Sequence, residues 1–266
     1  MNFTTKTVLV LSTLMSATAA MAQAKAPEPD YTLSYNVGVV SDYRFRGIAQ
    51  TNFKPALQGG IDFVHKSGFY AGTFASNVNW VKDFNGASKG SLEVDLYGGY
   101  KGSITPDVGF DVGAITYQYP GNNSGVANLA IGIPAGKYAN ANTTEIYGAL
   151  SYSVVNFRYN RSTGNFLGNQ NSSGSQYFDL NANFDLSNGF TLTPHIGRQL
   201  IPNQAGNAAN YSDYSLAIAK DFGKGLVASA AAVGTNTKSG AGDFYTDGYG
   251  RRLGKSTVVV GLKYSF

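Results

Sequence analysis

The chain contains no cysteine in 266 residues, so neither a disulfide framework nor a thiolate metal site is available to it. Charged residues make up only 14%, against about 25% in an ordinary soluble domain, which argues against a fully wetted surface. There are two histidines, His65 and His195, and neither stands in a recognisable nucleophile motif. Beyond residue 22 no apolar run approaches the roughly 20 residues that a membrane-spanning helix needs. A net charge of +4 is too mild, and the basic residues too scattered, to mark a nucleic-acid surface. What the chain has in quantity is tyrosine (18), phenylalanine (16) and glycine (33), and their placement carries the reading that follows.

Residues 1–22 have the make-up of a signal peptide: one basic residue, Lys6, the apolar run Val8-Leu9-Val10-Leu11-Ser12-Thr13-Leu14-Met15, and the small-x-small end Ala20-Met21-Ala22. Export is therefore expected, with residues 23–30 as a disordered lead-in and residues 31–266 as a single domain.

That domain alternates with a period of two. At its end Val258, Val260, Leu262, Tyr264 and Phe266 form one apolar row, interleaved with Thr257, Val259, Gly261, Lys263 and Ser265. Scanning backwards finds about twelve such segments. The clearest is 177–186, with Phe178, Leu180, Ala182, Phe184 and Leu186 against Asp179, Asn181, Asn183 and Asp185. The first is read as 33–47, placing Tyr43 and Phe45 on the apolar face and Asp42, Arg44 and Arg46 on the polar one. The third, 69–80, is read with Tyr70, Phe74, Val78 and Trp80 on the apolar face. Segment 226–233 is largely alanine, and its faces stay unassigned.

Short links at 66–67, 102–107, 154–155, 187–189 and 223–225 take turns with longer polar links at 48–54, 81–90, 120–143, 162–176, 201–213 and 234–255. A membrane protein without spanning helices must close its sheet, because an open edge has no hydrogen-bond partner in lipid. The fold class expected is thus an all-β, transmembrane, antiparallel up-and-down barrel of about twelve strands. An even strand count brings both termini to the same, periplasmic side. Aromatics near strand ends, Tyr43, Phe45, Trp80 and Tyr119 among them, would form girdles at the headgroup levels. A soluble two-sheet sandwich also gives many alternating strands, but its apolar rows need not be so aromatic nor its loops so unequal.

Two resemblances sharpen this. The last strand, ending on an aromatic, resembles the closing strand of bacterial outer-membrane barrels, which implies that Phe266 is read by the barrel-assembly machinery. The order Ser41-Asp42-Tyr43-Arg44-Phe45-Arg46-Gly47-Ile48, Pro55-Ala56-Leu57-Gln58-Gly59-Gly60-Ile61-Asp62, Gly68-Phe69-Tyr70-Ala71-Gly72, Ala75-Ser76-Asn77-Val78 and Glu93-Val94-Asp95-Leu96-Tyr97-Gly98-Gly99-Tyr100 resembles the TorF-type porins, the Gcw-chp family of Gram-negative bacteria. The resemblance implies an outer-membrane, porin-like role among lipids, with small hydrophilic solutes as partners. It supplies no cofactor and no functional residues.

The candidate site is the lumen. By parity Arg44 and Arg46 point inward near the outer end of the first strand, and Glu93, Asp95 and Asp179 point inward at comparable heights. Asp62, Asp111 and Arg158, with Asp42, Asp185 and Lys263, add charges lower down. Opposed charges across a constriction would select solutes by charge. A second reading has them pairing into a network that fills and rigidifies the barrel, because a buried charge needs a partner either way. Links 120–143 and 234–255 are long enough to plug the lumen or to serve as surface receptors. An outer-membrane hydrolase is the remaining class, with His195 in the lumen as its one candidate base. No metal or phosphate motif is present.

Overall fold

The computed structural model describes residues 29–238 and 243–266; the expected signal peptide and most of the lead-in lie outside the described residues. Period-two alternation becomes twelve barrel strands. They are β1 (Tyr31–Val40), β2 (Ala56–His65), β3 (Phe69–Asn77), β4 (Leu92–Thr105), β5 (Val108–Gln118) and β6 (Thr143–Tyr152). The second half adds β7 (Val155–Ser162), β8 (Gln176–Ala182, continued by Phe184–Asp185), β9 (Phe190–Leu200), β10 (Tyr211–Asp221), β11 (Leu226–Thr235) and β12 (Thr257–Ser265). Each pairs antiparallel with the next, and β12 pairs with β1, so the sheet closes on itself and no strand is left as an edge. Closure extends to the final residue, where Phe266 and Tyr35 exchange both backbone hydrogen bonds at 2.9 Å. Among the described residues no helix is long and apolar enough to cross a membrane.

The strands are inside out relative to a soluble protein. On β12 the row Val258, Val260, Leu262 and Tyr264 is exposed on the outer wall, while Gly261 and Lys263 line the interior. The same holds for Leu180 and Phe184 on β8 and for Leu216 and Ile218 on β10. Rows of exposed large apolar residues right round a closed wall are what a lipid-facing surface requires.

Near the short turns the wall carries paired rings. Tyr31 lies 5.6 Å from Phe63, Tyr35 5.8 Å from Phe266, and Phe69 4.9 Å from Tyr100. The barrel's first and last residues, Tyr31 and Phe266, both sit at this end, since Tyr31 pairs with His65 beside the first short turn. Tyr43, Phe45, Trp80 and Tyr119 do not belong to such a band. Trp80 and Tyr119 are buried together in a T-shaped contact of 5.1 Å, and Tyr43 and Phe45 pack against the same interior cluster.

That cluster occupies the loop end. Val78, Trp80, Val81, Phe84, Ile133, Tyr138, Tyr245 and Leu253 come from three different long loops and form one buried core. The one-turn helix Trp80–Asp83 supplies two of them.

Two further expectations are corrected. The first strand does not run through 33–47: it ends at Val40, and the chain then leaves the wall for the lumen. On β3 the aromatic row faces inward, with Tyr70 and Phe74 lining the interior and Phe69 and Ala71 outward. The outer row of β3 carries no charge, so lipid accepts it, whereas the Tyr70 hydroxyl needs the partners that only the lumen offers. On β11 the undecided inner face is the row containing Val227, Ser229 and Val233. Lumen tyrosines lie across glycines of neighbouring strands: the ring of Tyr97 fills the space where a side chain on Gly72 would stand, and Tyr147 does the same at Gly113. Aromatic cover of strand glycines pins the pleat and accounts for the glycines at these strand positions.

Candidate functional site

The segment between Val40 and Ala56 shapes the lumen. Arg44–Phe45 pairs with Ile48–Ala49 in a two-residue ribbon, turned by left-handed Arg46 (φ 49°) and Gly47 (φ 79°). A non-glycine residue at positive φ is uncommon and persists where its surroundings over-determine it.

The surroundings of Arg46 do so. Its guanidinium donates to both oxygens of Glu145, at 2.7 and 3.0 Å, and to Gln199 Oε1 at 2.8 Å. It lies 4.1 Å from the centre of the Tyr177 ring and 4.7 Å from that of Phe45. Glu145 also accepts from Tyr117 (3.2 Å) and Asn160 (3.1 Å). Burial alone would lower the pKa of Arg46, but the Glu145 carboxylate outweighs it and the net shift is upward, so the group stays charged. A paired and hydrogen-bonded charge of this kind acts as a peg holding the loop inside the barrel.

The remaining charges pair locally. Arg44 Nε meets Asp42 at 2.5 Å and its Nη1 donates to the carbonyls of Gly47 and Leu253. Glu93 accepts the hydroxyls of Tyr43 (2.5 Å) and Tyr119 (2.6 Å). Asp62 accepts the Tyr97 hydroxyl, and Asp111 that of Tyr70 at 2.6 Å. Arg158 stacks 3.6 Å over Tyr147 and donates to Asn160. Asp179 meets His195 Nε2 at 3.1 Å, and Asp213 lies 3.7 Å from His195 Nδ1. Asp95 differs: it is 94% buried, makes no hydrogen bond or ion pair among the described residues, and its Oδ1 is left without a partner.

Beneath the loop lies a cavity of about 900 Å³. Arg44, Phe45, Arg46 and Gly47 border it above, and it reaches down to Thr32, Val64, Lys101 and Lys263. Its two sides differ. Asp62, Asp95, Asp111, Arg158, Asp179 and Asp213 lie on β2 to β10, while β11, β12 and β1 present mostly small or neutral groups such as Ser229, Gly261, Ser34, Asn36 and Gly38, with Lys263 as the exception.

The cavity lining holds Arg44, Arg46, Asp62, Asp95, Asp111, Arg158 and Asp179, and Glu93 is buried against Tyr43 and Tyr119, but the pairing differs from expectation. Arg44 and Arg46 do not face Glu93, Asp95 and Asp179 across an opening; they stand on an inward loop, locked to Asp42 and Glu145. Asp42, expected lower down, is at the roof beside Arg44, and Asp185 sits at the exposed rim, accepting the Ser187 amide at 2.8 Å. Alternation placed Glu145 inward without marking it as the partner of Arg46, 99 residues away. Asp213 and Lys101, assigned to a link and a strand end, are lining residues as well. Both nitrogens of His195 face carboxylates, which leaves neither for a serine or threonine nucleophile. His65 pairs with Ser67 at an exposed turn and has no acid partner among the described residues.

Residues 23–266 match the family described as "Bacterial protein of unknown function (Gcw_chp)". The chain belongs to this family. A search of curated proteins finds no match. Among solved structures, the NanC porin is similar at a TM-score of 0.53 and 12% identity, over 88% of this chain and 99% of that one. The KdgM porin in complex with disordered oligogalacturonate gives 0.51 and 8%, over 88% and 98%. At such identities the likeness is one of fold, and the fold of this Gcw_chp protein is a closed twelve-stranded porin barrel.

Proposed function

We propose that the protein is an outer-membrane pore for passive passage of small hydrophilic solutes or ions, narrowed by the inward loop 41–55. The observation that carries this reading is the polar, charge-lined cavity of about 900 Å³ inside a closed barrel whose outer wall is apolar. With twelve strands, the passage is narrower than that of 16–18-stranded porins, so only small solutes fit. Asp62, Asp95, Asp111, Arg158 and Asp179 set the charge felt by the solute, while Arg44, Arg46 and Glu93 shape the loop that narrows the path. The role is non-enzymatic and needs no cofactor.

In this reading residues 1–22 direct export in a Gram-negative cell, and the short turns with both termini face the periplasm. Phe266, laddered to Tyr35 at the closing seam, is the signal read by the assembly machinery. The buried loop-end core favours a second reading, a barrel plugged at that end. Purified protein in planar bilayers separates them. Discrete, salt-dependent conductance steps support the pore; protein that inserts and never conducts supports the plug.

A further inference from the structure

Asp95 is the one lining carboxylate among the described residues that no donor or cation satisfies, although it is 94% buried. Leaving such a group unpaired is costly, and native structures do so where a function or a ligand accounts for it. Its neighbours indicate what kind. Across the ladder it stands between Phe74 and Tyr117. The inward loop brings the Phe45 ring to 5.3 Å from Tyr117 and the Tyr43 ring to 6.0 Å from Phe74. Tyr97, two residues along β4, faces the same cavity.

A carboxylate flanked by aromatic residues suits a weakly hydrated organic cation, whose charge is drawn both to the carboxylate and to the rings. A hard metal ion would want six or more oxygens, and these rings supply only three phenolic hydroxyls, already bonded to Glu93, Asp62 and Glu145. The two arginines nearest the roof do not compete for Asp95, being held by Asp42 and Glu145.

We propose that Asp95, with Phe45, Phe74, Tyr97 and Tyr117, forms a recognition site at the top of the cavity for the ammonium or guanidinium group of a small organic solute. The site deepens the pore reading and rests on it for the solute's route to the cavity, but occupancy can be measured without conduction. The probe is n-butylammonium, titrated calorimetrically into the full chain folded in detergent micelles at low salt. Saturable binding is expected, with n-butanol giving none.

Asp95→Asn should weaken the amine about tenfold or more, while Asp185→Asn at the exposed rim leaves it unchanged. Tyr117→Leu, which keeps the carboxylate and removes a ring, should weaken it by about three- to tenfold. Folding of each variant is checked by its heat-dependent shift in gel mobility. Absence of binding to the wild type overturns the site, as does an Asp95→Asn barrel that is folded and binds equally well. Should Asp95→Asn fail to fold, Tyr117→Leu decides. Binding without conductance would leave the recognition site standing and remove the pore.

Discussion

The two ends of this barrel solve opposite problems. Toward the short turns the interior is a wetted cavity where tyrosines lie over glycines and charges take hydroxyl or cation partners. Toward the long loops the interior is a buried hydrophobic core around Trp80, Val81 and Tyr119, with loop 41–55 pegged beneath it by Arg46 and Glu145. The outer wall is the same for both. The difference shows that in such a barrel lipid dictates only the outward row, leaving the inner one free to line a cavity or to receive a core made by loops.

Removing the peg should have the largest effect. Glu145→Ala leaves Arg46 buried and uncompensated and should cost about 3–5 kcal/mol of loop-end stability, since one half of a buried pair is worse than none. Urea titration followed by Trp80 fluorescence reads it, because Trp80 sits in the loop-end core. A midpoint unchanged from wild type would show that the loop is held by other contacts. Next comes the shared wall. Val260→Arg on the outward row should cost about 2–4 kcal/mol in liposome unfolding if Val260 lies at midplane, whereas Ser229→Arg on the inner row should be far milder. Equal costs would mean that the rows are assigned to the wrong faces.

Within the wetted half, Tyr97→Phe removes the hydroxyl that Asp62 accepts and should destabilise by about 1 kcal/mol, measured by the same unfolding. The smallest effect belongs to the rim. Lys66→Ala breaks an exposed pair with Asp30 and should change stability by well under about 1 kcal/mol; a larger change would give that turn an unexpected structural weight.

The strands were legible because lipid enforces a strict rule, one apolar row per strand, and the terminal row Val258 to Phe266 obeys it over its whole length. Three places escaped. Residues 42–46 keep a period of two yet leave the wall, because Arg44–Phe45 satisfies its ladder in a private ribbon with Ile48–Ala49. On β3 the more aromatic row faces the lumen, because tyrosine hydroxyls need partners and the opposite row bears no charge. For the lumen charges, parity gives a direction and not a partner. Only the closed barrel brings Arg46 to Glu145 or Asp179 to His195, so the network was invisible one strand at a time.

In the proposed pore, loop 41–55 narrows the conducting lumen. Val40 and Ala56 are paired across β1 and β2, so residues 42–54 can be replaced by a four-residue glycine-serine turn without opening the wall. Single-channel recording of wild type and this variant, side by side in planar bilayers, is the direct test. Discrete steps in the wild type and clearly larger ones in the variant are expected. Identical conductance in the two, or a folded, inserted variant that stays silent, would show that loop 41–55 does not narrow a conducting lumen.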